Sequence, residues 1–106
     1  MRITIDVTKR DITTGDWETC PITRAVRRVL GIRRDSKLGR DLSVGYDTIY
    51  VMGDDFDDDI DLATVPVAVI EFTKAVNADR PVKPFSFVAN FNQASAKRVG
   101  LTLPTE

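Results

Sequence analysis

The chain has 106 residues, of which 42% are hydrophobic and 29% are charged, and its formal net charge is −1. It is long enough for one modest hydrophobic core, and no apolar run approaches the roughly 20 residues that a membrane-spanning helix needs. The sequence contains no histidine, which removes the commonest general base and a common metal ligand, and its one cysteine excludes an internal disulfide bond.

The first predicted elements are a strand and an amphipathic helix. Residues 2–8 alternate apolar and polar side chains, as in a strand with one buried face, and the charges of Arg2 and Asp6 argue against a signal peptide. Helical spacing of apolar residues follows at Ile22, Ala25, Val26, Val29 and Leu30. Pro21 suits the first turn of this helix, and Gly31 suits its end because glycine accepts the left-handed conformation.

The middle of the chain combines charged loops with short strands. Residues 32–41 are predicted to form a basic loop, and the runs 42–45 and 48–52 predict a β-hairpin. Residues 54–61 then hold six aspartates in eight positions. This density of like charge disfavours regular structure unless a cation meets it.

A second helix, a last strand and a tail complete the pattern. The helix begins near Pro66 and ends before Arg80, because a residue that precedes proline is pushed out of the helical region. Alternating apolar residues over 85–91 predict the last strand. Residues 92–106 are a polar C-terminal tail, in which a weak alternation over 99–103 would add a strand.

The order of these elements, β-α-β-β-α-β, predicts an α+β fold. Residues 1–91 would form a single domain in which two helices cover one face of a four-stranded antiparallel sheet. A ferredoxin-like arrangement has this order of elements.

Two short motifs resemble a known family. Cys20-Pro21-Ile22 opens the first helix, and the segment 81–87 reads Pro-Val-Lys-Pro-Phe-Ser-Phe. With the strand 2–8 and the Asp11-Ile12 pair, they resemble a family of small uncharacterised bacteriophage and prophage proteins, over residues 1–91. The aspartate-rich loop and the tail are longer than the family usually carries. The resemblance implies a phage origin and action in the host bacterial cytoplasm, and it transfers no catalytic residue.

Cys20 is the first candidate for chemistry. A cysteine at a helix N-terminus can have a lowered pKa and act as a nucleophile. Such a nucleophile normally needs a base, and the chain has no histidine to serve as one. Packing or capping is therefore the preferred interpretation of Cys20. We assign no catalytic residue and no cofactor, and we expect a protein that is not an enzyme.

The aspartate run invites comparison with a calcium-binding loop. Four of its residues fall at positions 1, 3, 5 and 7 of an EF-hand-like loop: Asp55, Asp57, Asp59 and Asp61. Ile60 and Pro66 then stand where that loop requires glycine and glutamate, so we assign no metal. A solvated acidic loop and an acidic patch that binds a partner are the remaining interpretations.

Segregated charge on a small chain favours a binding function. The leading hypothesis is a small non-enzymatic phage protein that binds a host or phage protein, with no membrane partner. The candidate partner-binding residues carry charge in two clusters: Arg24, Arg27, Arg28, Arg33, Arg34, Asp55, Asp57, Asp58 and Asp59. The alternative is a nucleic-acid-binding regulator that uses the basic helix 21–30 and the loop 32–41. A homodimer, in which the two clusters pair between copies, and a virion or scaffold component also fit the pattern.

Overall fold

Ten helices and strands follow one another in the part of the chain that the structure describes. The structure is a computed structural model, and it describes residues 1–13, 20–45, 47–53 and 58–104. The elements are β1 (Arg2–Val7), α1 (Lys9–Thr13), α2 (Pro21–Leu30), α3 (Lys37–Asp41), β2 (Leu42–Val44), β3 (Thr48–Val51), β4 (Ile60–Thr64), α4 (Val67–Asn77), β5 (Phe85–Phe91) and α5 (Gln93–Arg98). The predicted α+β class is confirmed.

The five strands form one antiparallel sheet in the order β1-β5-β4-β3-β2. The predicted hairpin is present as β2 and β3, in which Ser43 pairs with Tyr50. The prediction of four strands in a ferredoxin-like order was wrong. β1 and β2 lie at opposite edges of the sheet, and β1 pairs with β5, with Ile5 opposite Phe87.

Helix α2 lies across the sheet and contacts both edge strands, β1 and β2. A five-stranded sheet can meet one helix at both edges only by curling around it, which follows the ordinary twist of antiparallel strands. The inner face of α2 supplies Ile22, Ala25 and Val26, each fully buried. They share one hydrophobic cluster with Ile5 of β1 and Phe72 of α4, so helices and sheet enclose a single core.

The ends of α2 confirm the signals in its sequence. Pro21 is its first residue and Cys20 is its N-cap. At the other end Gly31 has φ of 68° and its N–H donates to the carbonyl oxygen of Arg28, so the helix ends in a left-handed residue as predicted. These local signals agree with the tertiary packing of the helix.

The aspartate run ends in a strand, contrary to the expectation that it would lack regular structure. In β4, Asp61 is exposed to solvent while Leu62 and Ala63 are buried between β3 and β5. The strand therefore keeps its charge on the outside and obtains its stability from the two apolar residues.

The tail also differs from its prediction. Residues 93–98 form α5, and residues 99–103, where a strand was predicted, form neither a strand nor a helix. The Asn92 side chain caps α5 by accepting a hydrogen bond from the backbone N–H of Ser95 at 2.9 Å. Ala96 and Leu101 are buried in the core, so this part of the tail packs on the sheet. No described helix is long and apolar enough to cross a membrane.

Candidate functional site

The arginines of α2 lie on two different stripes of the helix. Because successive residues are rotated by roughly 100° about a helix axis, Arg24 and Arg28 share one stripe, whereas Arg27 follows Cys20 and Thr23 on another. The first stripe faces α1 and β1, and the second lines an open cleft beside α3 and β2. The predicted basic cluster is therefore divided by the fold.

Arg24 and Arg28 are both held by Asp11 of α1. Nε of Arg24 donates to the carbonyl oxygen of Asp11 at 2.9 Å, and Nη2 of Arg28 lies 3.0 Å from Oδ2 of the Asp11 carboxylate. Nη2 of Arg28 also donates to the carbonyl oxygen of Asp6 in β1. These contacts join three elements, which gives both arginines an intramolecular role.

Asp11 owes its position to a capping box at the start of α1. The Thr8 hydroxyl accepts a hydrogen bond from the Asp11 backbone N–H at 3.2 Å, and the Asp11 carboxylate accepts one from the Thr8 backbone N–H at 2.9 Å. Burial alone would raise the pKa of Asp11, but the hydrogen bonds from Thr8 and the hydrogen bond and charge of Arg28 outweigh it. The net effect is a pKa below the ordinary value, so the carboxylate is ionised at neutral pH.

The second stripe of α2 forms one wall of a cleft of about 490 Å³. Its other walls come from α3 with the chain before it, from β2 and from β3. The lining residues are Cys20, Thr23, Arg27, Arg34, Gly39, Arg40, Leu42, Ser43, Val44, Tyr50 and Met52. Among these described residues three are arginines, three carry hydroxyl groups, and none is an aspartate or glutamate.

Arg27 is the deepest charge of this cleft. The residue is only 8% exposed, and its Nε atom has no hydrogen-bond partner among the described residues. Burial lowers its pKa, the nearby charge of Arg24 lowers it further, and Cys20 acts in the opposite direction. An arginine nevertheless remains protonated in proteins at neutral pH. One wall of the cleft thus contains a buried cation, whose Nε donor is closed to solvent and has no partner among the described residues.

The wall opposite α2 depends on a close approach of α3 to the chain before it. The Ser36 hydroxyl caps α3 by accepting a hydrogen bond from the Gly39 N–H at 3.0 Å, and it donates to the Arg33 carbonyl oxygen at 2.6 Å. A Cβ atom on Gly39 would lie 2.0 Å from that same carbonyl oxygen. Only glycine therefore fits, and α3 replaces part of the predicted basic loop because of this cap.

The loop arginines differ in their relation to the cleft. Arg34 lines it, as does Arg40, whose Nη1 donates to the Asp35 carbonyl oxygen at 3.1 Å. Arg33 does not line it and instead makes a two-pronged contact with the Asp35 carboxylate, at 3.0 and 3.2 Å. The side chain of Arg33 is 81% exposed.

The predicted acidic cluster is only partly described. Asp58 and Asp59 are exposed, and Oδ1 of Asp59 accepts a hydrogen bond from the Gly53 N–H at 2.9 Å. Asp58 lines a separate groove with Lys37. Asp55 and Asp57 lie outside the described residues. The part of the chain that is described contains no group of three or more acidic or cysteine side chains placed to hold a metal ion.

Cys20 contacts a hydroxyl group and not a base. Its Sγ atom lies 3.2 Å from Oγ1 of Thr23, one turn along α2, and the residue is partly buried at the helix N-cap. Cys20 makes no side-chain capping hydrogen bond, so this position agrees with the packing interpretation and not with side-chain capping. Within the cleft Cys20 therefore contributes to the wall beside Arg27.

Sequence reasoning missed several residues of the site. Arg40 belongs to the basic loop 32–41 of the nucleic-acid alternative but was not among the candidate partner-binding residues, and Ser43 and Tyr50 were assigned only to strands. Their pairing across β2 and β3 is what brings them to one wall. Asp11 carried a usable signal, because Thr8 and Asp11 have the spacing of a capping box.

Comparison with known proteins gives no relative from which a role for these residues could be transferred. No protein-family model matches the chain, and no curated protein and no solved structure matches it either.

Proposed function

We propose that this chain is a non-enzymatic binding protein that contacts an acidic surface of a protein partner through the arginine-lined cleft. The observation that carries the proposal is the set of three arginines, Arg27, Arg34 and Arg40, around a cleft in which no described lining residue is acidic. Arginine is the residue best suited to such contacts because its planar guanidinium forms paired hydrogen bonds with carboxylate and phosphate groups.

The division of the basic cluster narrows the proposed surface. Arg24 and Arg28 are engaged by Asp11, so a partner would have to break intramolecular contacts to use them. Arg34 and Arg40 also make intramolecular contacts, but both residues are exposed and line the cleft, so a partner can reach their side chains. Asp58 and Asp59 are exposed as well and form a second candidate surface, and the groove that Asp58 lines adjoins the cleft at Met52.

A binding role agrees with the chemistry of the chain. The sequence has no histidine, and Cys20 contacts Thr23 where a nucleophile would need a base. The resemblance to phage proteins in the Cys-Pro-Ile and Pro-Val-x-Pro-Phe-x-Phe motifs supports a phage origin, with a host or phage protein as the partner in the host bacterial cytoplasm. The phage origin of the chain, its partner and its location are all part of the proposal.

Nucleic acid is the second candidate ligand. Tyr50 lines the cleft beside the arginines, and an aromatic ring next to cationic side chains is the usual combination for contacting bases and phosphates. This candidate predicts an affinity for DNA or RNA that falls steeply with salt concentration. An affinity that does not change with salt would exclude it.

The experiment is affinity capture from nuclease-treated bacterial lysate at low and at moderate salt. We expect the wild-type chain to retain a stoichiometric protein at moderate salt, and the double variant Arg34→Glu/Arg40→Glu to lose it. The matched control is Lys97→Glu/Arg98→Glu, which makes the same change of charge on α5, outside the cleft. Equal capture by both double variants would contradict the proposed surface, and capture of nucleic acid alone without nuclease would favour the second candidate.

A further inference from the structure

We infer that the cleft between α2, α3 and β2 is a receptor for a single phosphate monoester group, with Arg27 as its central ligand. The inference rests on the proposed function, because it names the chemical group that enters the same cleft. It is carried by the buried, unpartnered Nε of Arg27 and by the cationic and hydroxyl groups that surround it.

The buried charge of Arg27 lacks a compensating group among the described residues. A charged group that is removed from water is costly unless an opposite charge or hydrogen bonds compensate it. No carboxylate of a described residue forms an ion pair with Arg27, and its Nε donor is unsatisfied there. Arg27 lines the cleft, so an anion in the cleft would lie beside its charge, although the Nε atom itself is closed to solvent. An anion is the ligand that would compensate this charge.

The side chains around the cleft indicate which class of anion it would bind. Arg27, Arg34 and Arg40 offer guanidinium groups to one cleft, and Ser43 and Tyr50 add hydroxyl groups. A phosphate monoester carries a charge of about −1.5 to −2 at neutral pH and three strong acceptor oxygens that point in different directions. A carboxylate has a single charge and two oxygens in one plane, so it can accept fewer hydrogen bonds from this set of side chains. The donor set therefore favours phosphate.

The phosphate group could come from either of two sources. The cleft of about 490 Å³ is open at the surface, where Arg34 and Arg40 are exposed. A free small-molecule phosphate and a phosphorylated side chain of the protein partner present the same group to Arg27. The shared chemistry is the monoester, and the two sources are separated by the choice of probe.

The test is a titration of the ¹⁵N-labelled protein followed by NMR at the arginine Nε–Hε cross-peaks. The probes are inorganic phosphate, adenosine monophosphate, a short peptide with one phosphoserine, the same peptide without phosphate, and acetate. We expect phosphate and at least one monoester to shift the Nε–Hε cross-peak of Arg27, and acetate and the unphosphorylated peptide to leave it in place. A preference for the peptide or for the nucleotide identifies the source.

Variants separate binding in the cleft from general attraction of anions. Arg27→Gln should raise the dissociation constant by about 10-fold to 100-fold, which corresponds to the loss of a charged hydrogen bond. Arg34→Gln and Arg33→Gln remove the same charge from adjacent exposed residues, of which only Arg34 lines the cleft. We expect Arg34→Gln to weaken binding and Arg33→Gln to leave it unchanged. These two variants keep the test decisive if Arg27→Gln does not fold.

Three results would overturn the inference: no shift of the Arg27 cross-peak with any phosphate, an equal shift with acetate, or equal losses of affinity in Arg33→Gln and Arg34→Gln. Failure here is distinguishable from failure of the proposed function. If phosphate does not bind but Arg34→Glu/Arg40→Glu still loses the captured protein, the proposed function stands without this ligand. If phosphate binds but Arg34→Glu/Arg40→Glu still captures the protein, the cleft is a phosphate site and the proposed protein-binding surface is wrong.

Discussion

Arg27 and Arg28 are neighbours on one helix, but they differ in burial and in their hydrogen-bond partners. Arg28 is half exposed, with its guanidinium against the Asp11 carboxylate at 3.0 Å and against the Asp6 carbonyl oxygen. Arg27 is 8% exposed, and its Nε has no partner among the described residues. The more exposed arginine thus stabilises the fold, and the more buried one is left to a ligand.

The comparison shows that burial does not by itself mark a structural role for a charged residue. On the side of α2 that faces α1, Asp11 pairs with both Arg24 and Arg28. Its capping box with Thr8 fixes the carboxylate where Arg28 can reach it. No described carboxylate has this role on the cleft side of α2. The difference between the two stripes can be tested by removing the groups that define each of them.

The largest effect is expected for Asp11→Ala. This change removes the capping box of α1 and the ion pair of Arg28, and it leaves the Thr8 N–H without its acceptor. We expect the free energy of unfolding to fall by about 2–4 kcal/mol, measured by urea denaturation. Asp35→Ala is the control, because it breaks the exposed pair with Arg33 and should cost less than about 1 kcal/mol. Equal losses of unfolding free energy in the two variants would show that the Asp11 contacts do not stabilise the packing of α1 against α2.

A smaller effect is expected in the acid dependence of stability. Burial raises the pKa of Asp11, but the hydrogen bonds from Thr8 and Arg28 lower it by more, so the folded-state pKa lies below the ordinary value of 3.8. The stabilisation by this carboxylate is therefore complete above pH 3.8 and is lost as the pH falls through the lower folded-state pKa. We expect the stability difference between wild type and Asp11→Asn to shrink over that acidic range, measured by urea denaturation at a series of pH values. A difference that is independent of pH would exclude this linkage.

The elements that sequence reasoning predicted correctly carry their signals locally. The strand at residues 2–7 alternates, and α2 has an apolar stripe between a proline and Gly31. Strand β4 was missed because aspartates dominate the sequence around it, and only pairing between β3 and β5 reveals Leu62 and Ala63 as core residues. The strand order was missed because the curled sheet depends on where distant segments pair.

The site was predictable only in part, for the same reason. Helical periodicity separates Arg27 from Arg24 and Arg28, so the two stripes were available from sequence. What each stripe faces depends on α1 on one side and on α3 with β2 on the other. The basic composition of the loop 32–41 marks Arg40, whereas no local pattern marks Tyr50, and tertiary packing brings both residues to the cleft.

The most direct test of this account compares Arg27→Met with Arg28→Met in urea denaturation without phosphate. Methionine keeps much of the aliphatic stem and removes the charge. We expect Arg28→Met to lower the free energy of unfolding by about 1 kcal/mol, because Asp11 loses its ion pair. We expect Arg27→Met to leave it unchanged or raise it by about 1 kcal/mol, because an uncompensated buried charge is removed. A larger loss in Arg27→Met than in Arg28→Met would contradict the assignment of Arg27 to a ligand.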